Sequence, residues 1–157
     1  MNRDHHKNAA WDRRFLALAR HIAGWSKDPS TKVGAVIVRP DKTVASVGYN
    51  GLPRGVEDTM ARLQDRDTKL DLTVHAEINA LAFAKESLQF CTLYVWPLPP
   101  CIRCATSIIQ HGIHRVVAPE PDIHSQWGDS NIRARDLLLE AGVTVDWVNR
   151  TELAGVA

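Results

Sequence analysis

The chain has 157 residues with 45% hydrophobic and 24% charged residues, which is typical of one globular domain, here expected over residues 1–157. Its formal net charge of +1 gives no long-range field for DNA, RNA or an anionic membrane, so neither a nucleic-acid polymer nor a membrane is expected as partner. Three cysteines form no disulfide framework, and no signal peptide or spanning apolar run stands out, so a cytoplasmic location is expected.

Hydrophobic periodicity predicts helices alternating with strands. Trp11, Phe15 and Trp25 follow helical spacing and predict a first helix whose stripe packs in the core. Residues 50–72, rich in Gly, Pro and charges, predict a long loop with little regular structure. Further helices are predicted over residues 76–85, with Thr73 as a possible cap, 102–110 and 132–141, and strands over residues 33–38, 43–49, 92–96, 114–118 and 143–148. This order predicts an α/β fold with three layers, α/β/α, and parallel strand pairs in a five-stranded mixed sheet.

Two short segments carry candidate metal ligands. Cys101 and Cys104 have C-x-x-C spacing at a predicted helix N-terminus, where both sulfurs can reach one cation and the helix dipole favours the thiolate. The pair alone also suits a redox site or half of a zinc knuckle. His75 begins another predicted helix, two residues before Glu77, and this second segment favours a zinc site formed by His75, Cys101 and Cys104.

The third cysteine bears on whether that site is open. Cys91 begins the predicted strand 92–96 and Cys101 lies beyond its end, so at ~3.3 Å per residue Cys91 is expected on the order of 15–20 Å from the metal. We therefore predict that Cys91 is a small buried hydrophobe. Three protein ligands leave a position for water, as in catalytic zinc sites. Glu77 is then the candidate for moving protons, and His-x-Glu with Pro-Cys-x-x-Cys is the sequence signature of zinc deaminases.

The chain resembles the cytidine and deoxycytidylate deaminase superfamily, most closely its deoxycytidylate (dCMP) branch. The resemblance implies a cytidine-deaminase-like fold and a zinc cofactor. It also implies a homo-oligomer, a hexamer or dimer, and dCTP and dTTP as possible effectors. The matching segments are residues 26–35 (SKDPSTKVGA), 48–55 (GYNGLPRG), 75–80 (HAEINA) and 100–104 (PCIRC).

The resemblance also implies a reaction and its contacts. Water would replace the amine at C4 of a cytosine ring, converting dCMP to dUMP and ammonia, with Glu77 protonating N3 and then the departing amine. Asn50 matches the family residue that binds the sugar hydroxyl, and the Ala76 N–H is expected to hold the ring carbonyl. Lys27 and Arg54 are candidates for the phosphate.

The chain departs from the family pattern at Trp25, where a basic residue is common, and in two segments, so alternatives stay open. The segment directly before Cys101, residues 96–100 (WPLPP), is here called the lead. In the family it lines the base pocket, and in this chain it contains a tryptophan and an extra proline. The loop over residues 119–128 holds His124 and Trp127 as candidate pocket residues. Another nucleoside or a free base, such as cytosine or guanine, is an alternative substrate. A non-catalytic zinc-binding module is the alternative from a different class.

Overall fold

A five-stranded mixed sheet organises the computed structural model, which describes the backbone of residues 3–154 and the side chains of residues 8–154. The strands are β1 (Gly34–Val38), β2 (Val44–Tyr49), β3 (Thr92–Trp96), β4 (Arg115–Pro119) and β5 (Thr144–Val148). Their order across the sheet is β2-β1-β3-β4-β5. The first two strands form a hairpin, because β1 pairs antiparallel with β2, and the pairs β3–β4 and β4–β5 are parallel as expected.

Helices cover both faces of this sheet, which confirms the predicted three-layer α/β/α arrangement. Along β3, Leu93 and Val95 face one core cluster, whereas Tyr94 between them faces the other. This alternation reflects the two-residue period of a strand buried on both faces. The helices are α1 (Arg3–Ala23), α2 (Met60–Gln64), α3 (Arg66–Leu72), α4 (Ala76–Phe83), α5 (Ile102–Gln110) and α6 (Gly128–Glu140), followed by a 3-10 helix over Arg150–Leu153. The face with α1 is opposite the face with α4, α5 and α6.

The first helix ends before one residue of its predicted stripe. Phe15 is buried and Trp11 packs against the same cluster, as predicted. Trp25 follows the end of α1, is 52% exposed and lies edge-on to Tyr49, so its core assignment was wrong. No described helix, α1 included, is long and apolar enough to cross a bilayer.

The prediction of a loop over residues 50–72 was also wrong, because α2 and α3 lie within it. Both helices are short, and each buries one side chain, Leu63 in α2 and Lys69 in α3. Such short polar helices depend on tertiary contacts, which the local composition does not reveal.

A glycine in β2 lets α4 approach the sheet. A Cβ at Gly48 would lie 2.4 Å from the Ala76 carbonyl oxygen and 2.4 Å from the Ala80 amide nitrogen. Only a residue without a side chain fits this close backbone approach. The start of α4 is thereby fixed against β2, next to the predicted metal site.

Candidate active site

The N-termini of α4 and α5 converge on a cluster of three side chains. His75 is the N-cap of α4, Cys101 is the N-cap of α5, and Cys104 lies in the first turn of α5. The His75 Nδ1 lies 3.5 Å from the Cys101 Sγ and 3.3 Å from the Cys104 Sγ. The structure thus brings together the three residues that the sequence predicted as ligands.

Backbone contacts on the β2 side hold His75 in place. Val74 and Gly51 form an isolated bridge, with N···O distances of 2.8 and 3.1 Å. Asn79 in α4 donates its Nδ2 to the Tyr49 carbonyl at 2.8 Å. Thr73 does not cap α4 as expected, because its hydroxyl donates to the Lys69 carbonyl and Thr73 ends α3.

Two residues of α6 hold the start of α5, and the sequence analysis missed both. The buried Asn131 donates its Nδ2 to the carbonyls of Pro99 and Pro100, at 2.9 and 3.2 Å. The Ser130 hydroxyl accepts a hydrogen bond from the Ile102 N–H at 3.0 Å. Because these contacts span 28 to 32 residues, no local spacing could indicate them.

The donor set fits a zinc ion. A tetrahedral zinc with Zn–S of about 2.3 Å and Zn–N of about 2.0 Å separates its donors by roughly 3.5 Å. The Nδ1···Sγ distances match this value, and the three donor atoms lie within 4.8 Å of one another. Cys91 is buried in the core, as predicted. Among the described residues, the group that could hold a metal ion consists of His75, Cys101 and Cys104.

Burial and hydrogen bonding shift the ionisation of the groups around the cluster. Burial raises the pKa of Glu77 to about 7. The hydrogen bond with Cys104 lowers the pKa of Cys101 to about 4, and the contact with His75 acts in the same direction. Cys104 has a raised pKa, because it shares that hydrogen bond and is itself buried. One thiolate is therefore favoured at the start of α5 even without a cation.

The cluster opens into a cavity of about 460 Å³. Four predicted site residues besides Cys101 contribute to its wall: Asn50, His75, Ala76 and Glu77. The structure does not bring the two predicted phosphate ligands, Lys27 and Arg54, to this wall. The Lys27 side chain is 70% exposed and pairs with Asp58, and the Arg54 guanidinium lies over the Phe83 ring at 4.6 Å.

Residues 28–31 and Val33 also line the cavity, and Asn50 fastens the segment that contains them, residues 26–33, to the end of β2. The Asn50 Oδ1 accepts from the Val33 N–H at 2.8 Å, and its Nδ2 donates to the Thr31 carbonyl at 2.9 Å. The Ser26 hydroxyl donates to the Asn50 carbonyl at 2.8 Å. Asn50 is thus at the cavity, as predicted, and it also holds the segment together.

A buried ion pair joins the same segment to α3. The Lys69 Nζ donates to Asp28 Oδ1 at 3.1 Å and to the Ser30 hydroxyl at 3.0 Å. Burial alone would raise the pKa of Asp28, but the N–H groups of Ser30 and Thr31, together with Lys69, lower it overall. Lys69 was not predicted from the sequence, because it is 41 residues away from its partner Asp28 along the chain.

The two segments that depart from the family pattern contribute unequally to the cavity. Leu98 and Pro99 from the lead, and Trp127 from the loop, line the wall. Trp96 instead packs against the core cluster under α1, and His124 is exposed and outside the lining. The Trp96 indole therefore does not line the cavity. The prolines that follow Trp96 lead directly into Cys101 of the metal cluster.

Comparisons with known proteins agree with this geometry. A family model described as the cytidine and deoxycytidylate deaminase zinc-binding region matches residues 9–120. The chain is 45% identical over 140 residues to an uncharacterized deaminase in the luxG 3′ region of Aliivibrio fischeri, covering 88% of this chain and 93% of that protein. It is 38% identical over 140 residues to deoxycytidylate deaminase of Mus musculus, covering 85% and 77%. The fold matches a crystal structure of dCMP deaminase from the cyanophage S-TIM5 in complex with dCMP and dUMP, with TM-score 0.69, 23% identity and coverage of 94% and 99%.

Proposed function

Because the chain belongs to the cytidine and deoxycytidylate deaminase family of zinc-dependent hydrolases, we propose that it converts dCMP to dUMP and ammonia. The observation that carries the proposal is the buried Glu77 carboxylate at a cavity that also reaches the cluster of His75, Cys101 and Cys104. The deoxycytidylate deaminase of mouse, 38% identical to this chain, supports the choice of nucleotide.

We propose that His75, Cys101 and Cys104 hold the zinc ion. Two thiolates and one imidazole are ligands that zinc prefers, and both cysteines lie at the N-terminus of α5, where the helix dipole favours a thiolate. When bound there, zinc supplies a Lewis acid that makes hydrolysis possible near neutral pH.

Glu77 is proposed to move the protons of the reaction. It is 4% exposed, and its position in the first turn of α4 places it two residues from His75. A buried carboxylate beside the reacting ring can take a proton from the attacking water and deliver protons to N3 and to the departing amine. Burial keeps bulk water from exchanging those protons during the reaction.

Two further groups are proposed to orient the nucleotide. The Ala76 N–H belongs to the first residue of α4 and needs an acceptor from outside the helix, which the ring carbonyl would supply. Asn50 uses one N–H of its amide on Thr31, so the other can donate to the sugar hydroxyl. Neither role depends on Lys27 or Arg54, which lie outside the cavity lining.

A substrate comparison tests the proposal. The zinc-loaded protein is assayed for ammonia release from dCMP, deoxycytidine, cytosine and guanine under the same conditions. We expect kcat/KM to be highest for dCMP. Turnover of a free base without turnover of dCMP would overturn the substrate while leaving the hydrolytic chemistry in place. Retained zinc with no turnover of any of the four would favour the non-catalytic module.

Assembly and regulation are proposed from the family and from one surface feature. We propose a homo-oligomer, a dimer or hexamer, and sensitivity to dCTP and dTTP. The exposed aromatic pair of Trp25 and Tyr49 at the edge strand β2 supports a protein contact, since such rings are enriched at interfaces. Sedimentation of the wild type and of Trp25→Ser tests the contact, and assays with each triphosphate test the regulation. One deaminase domain and a cytoplasmic location stay predictions.

A further inference from the structure

Two long cationic side chains line the cavity, and they differ in what they already bind. Arg66 and Lys69 lie one turn apart on α3. Lys69 is 7% exposed and is committed to Asp28 and Ser30. Its charge is therefore neutralised and cannot serve an anionic substrate without breaking a buried ion pair.

Arg66 is held by a neutral group instead. Its Nη2 donates to the Gln126 Oε1 at 3.2 Å, a contact between residues 60 positions apart. Among the side chains of residues 8–154, no carboxylate forms an ion pair with Arg66. A guanidinium has five N–H donors, so most of them remain for a ligand. Because the Gln126 amide is exposed, Arg66 can replace this hydrogen bond by one to a ligand with little loss of free energy.

We propose that Arg66 binds the 5′-phosphate of the substrate, and that Gln126 occupies its guanidinium until the nucleotide arrives. This inference rests on the proposed function, which makes the substrate a nucleotide. Arginine pairs with phosphate through two parallel hydrogen bonds, whose strength exceeds that of a bond to a neutral amide. Arg66 would thus select nucleotides over nucleosides. The net charge of +1 is too small to attract a phosphate over long distance, so this selection depends on a local cation.

The same geometry explains why the sequence-based phosphate ligands are poor candidates. Lys27 already pairs with Asp58 at 2.8 Å, and Arg54 stacks on Phe83. Neither lines the cavity, whereas Arg66 does. The phosphate contact is therefore assigned to α3, a helix that the sequence analysis did not predict.

The test is the ratio of kcat/KM for dCMP to kcat/KM for deoxycytidine, which differ only by the phosphate. We expect Arg66→Gln to lower this ratio by roughly 10- to 100-fold, the size of one charge-assisted hydrogen bond. The ratio for Arg66→Lys should fall between those of the wild type and Arg66→Gln, because lysine keeps the charge but cannot form two parallel hydrogen bonds to the phosphate. Arg62→Gln, which removes a cation from α2 outside the cavity lining, is the matched control and should keep the ratio.

A second variant leaves Arg66 in place and changes its partner. Gln126→Glu should lower the ratio by about threefold or more, because a carboxylate would pair with the guanidinium and compete with phosphate. Calorimetry of dUMP and deoxyuridine binding to Arg66→Gln gives the same comparison without turnover. We expect the preference for dUMP to fall with the catalytic ratio.

Three outcomes would overturn the inference. A wild-type preference for dCMP that survives Arg66→Gln would overturn it alone and leave the proposed function intact. A loss of preference in Lys27→Gln or Arg54→Gln, with none in Arg66→Gln, would return the phosphate to the residues first predicted. Equal kcat/KM of the wild type for dCMP and deoxycytidine would overturn the proposed substrate and this inference with it.

Discussion

The two walls of the cavity are built in different ways. The metal side consists of two helix starts that carry the candidate ligands within short motifs, at residues 75–77 and 101–104. The other part of the wall, within the segment over residues 26–33, is held by single side chains from elsewhere in the chain, Asn50 from the end of β2 and Lys69 from α3. Under the proposed function, the first part of the wall supplies the chemistry, and the second contributes to the shape of the cavity.

The largest effect is expected on the metal side, from Glu77→Gln. The substitution keeps the shape of the side chain and removes its ability to accept and return a proton. We expect kcat to fall by about 10²- to 10⁴-fold, the usual contribution of a general acid–base group. Zinc content, measured by elemental analysis, should stay at the wild-type stoichiometry. Wild-type turnover by this variant would mean that Glu77 moves no proton in the reaction.

In the part of the wall around Asp28, Lys69→Met should be the most disruptive change. It leaves Asp28 buried without its cationic partner, which typically costs about 3–5 kcal/mol of unfolding free energy. Urea denaturation measures the loss, and zinc content should be unaffected because neither Asp28 nor Lys69 belongs to the candidate zinc ligands. Lys32→Met, an exposed lysine of the same segment, is the control and should change stability by less than about 0.5 kcal/mol.

The deficit of Lys69→Met should also depend on pH. In the wild type, the folded-state pKa of Asp28 lies below its ordinary value, so its contribution is present above an unfolded pKa of about 3.9 and is lost as pH falls through the folded pKa. Removing Lys69 removes one of the groups that lower this pKa. The difference from wild type is therefore largest near neutral pH and shrinks below about pH 4. A deficit that stays constant from pH 7 to pH 3 would show that lost packing, and not charge, causes it.

A smaller effect is expected where α6 supports the metal side. Asn131→Ala removes both hydrogen bonds to the Pro99 and Pro100 carbonyls, directly before Cys101. We expect a loss of about 1–3 kcal/mol in stability. Zinc affinity, measured by chelator competition, should weaken by roughly 10- to 100-fold, as for other residues that orient metal ligands. The exposed Arg133→Ala on the same helix should change neither quantity, and an unchanged zinc affinity in Asn131→Ala would mean that the prolines need no such support.

This contrast explains which parts of the site the sequence could predict. The cluster of His75, Cys101 and Cys104 was predictable because these residues lie in two short motifs and the strand–helix order brings their helix starts together. Lys69 could not be predicted, since its value depends on a partner 41 residues away. The same holds for the contact of Arg66 with Gln126, which spans 60 residues.

The fold was predictable to a similar degree, and for a similar reason. The five strands and the longer helices could be predicted from hydrophobic periodicity, because each of them buries a regular set of side chains against the sheet or its helices. The helices α2 and α3 lack such a pattern, because Leu63 and Lys69 are their only buried side chains. Trp25 was predicted to be buried but is exposed, since helical spacing alone does not show where the helix ends.

The smallest effect is expected at the one cysteine outside the metal cluster. Cys91 is 2% exposed and lies among apolar residues of the core, so Cys91→Ala removes one sulfur atom and leaves a small cavity. We expect a loss of about 1 kcal/mol in unfolding free energy. Zinc stoichiometry and kcat should stay at wild-type values, whereas Cys104→Ala should lose both. Because a structural zinc site needs a fourth protein ligand, loss of zinc from Cys91→Ala would contradict an open, catalytic site.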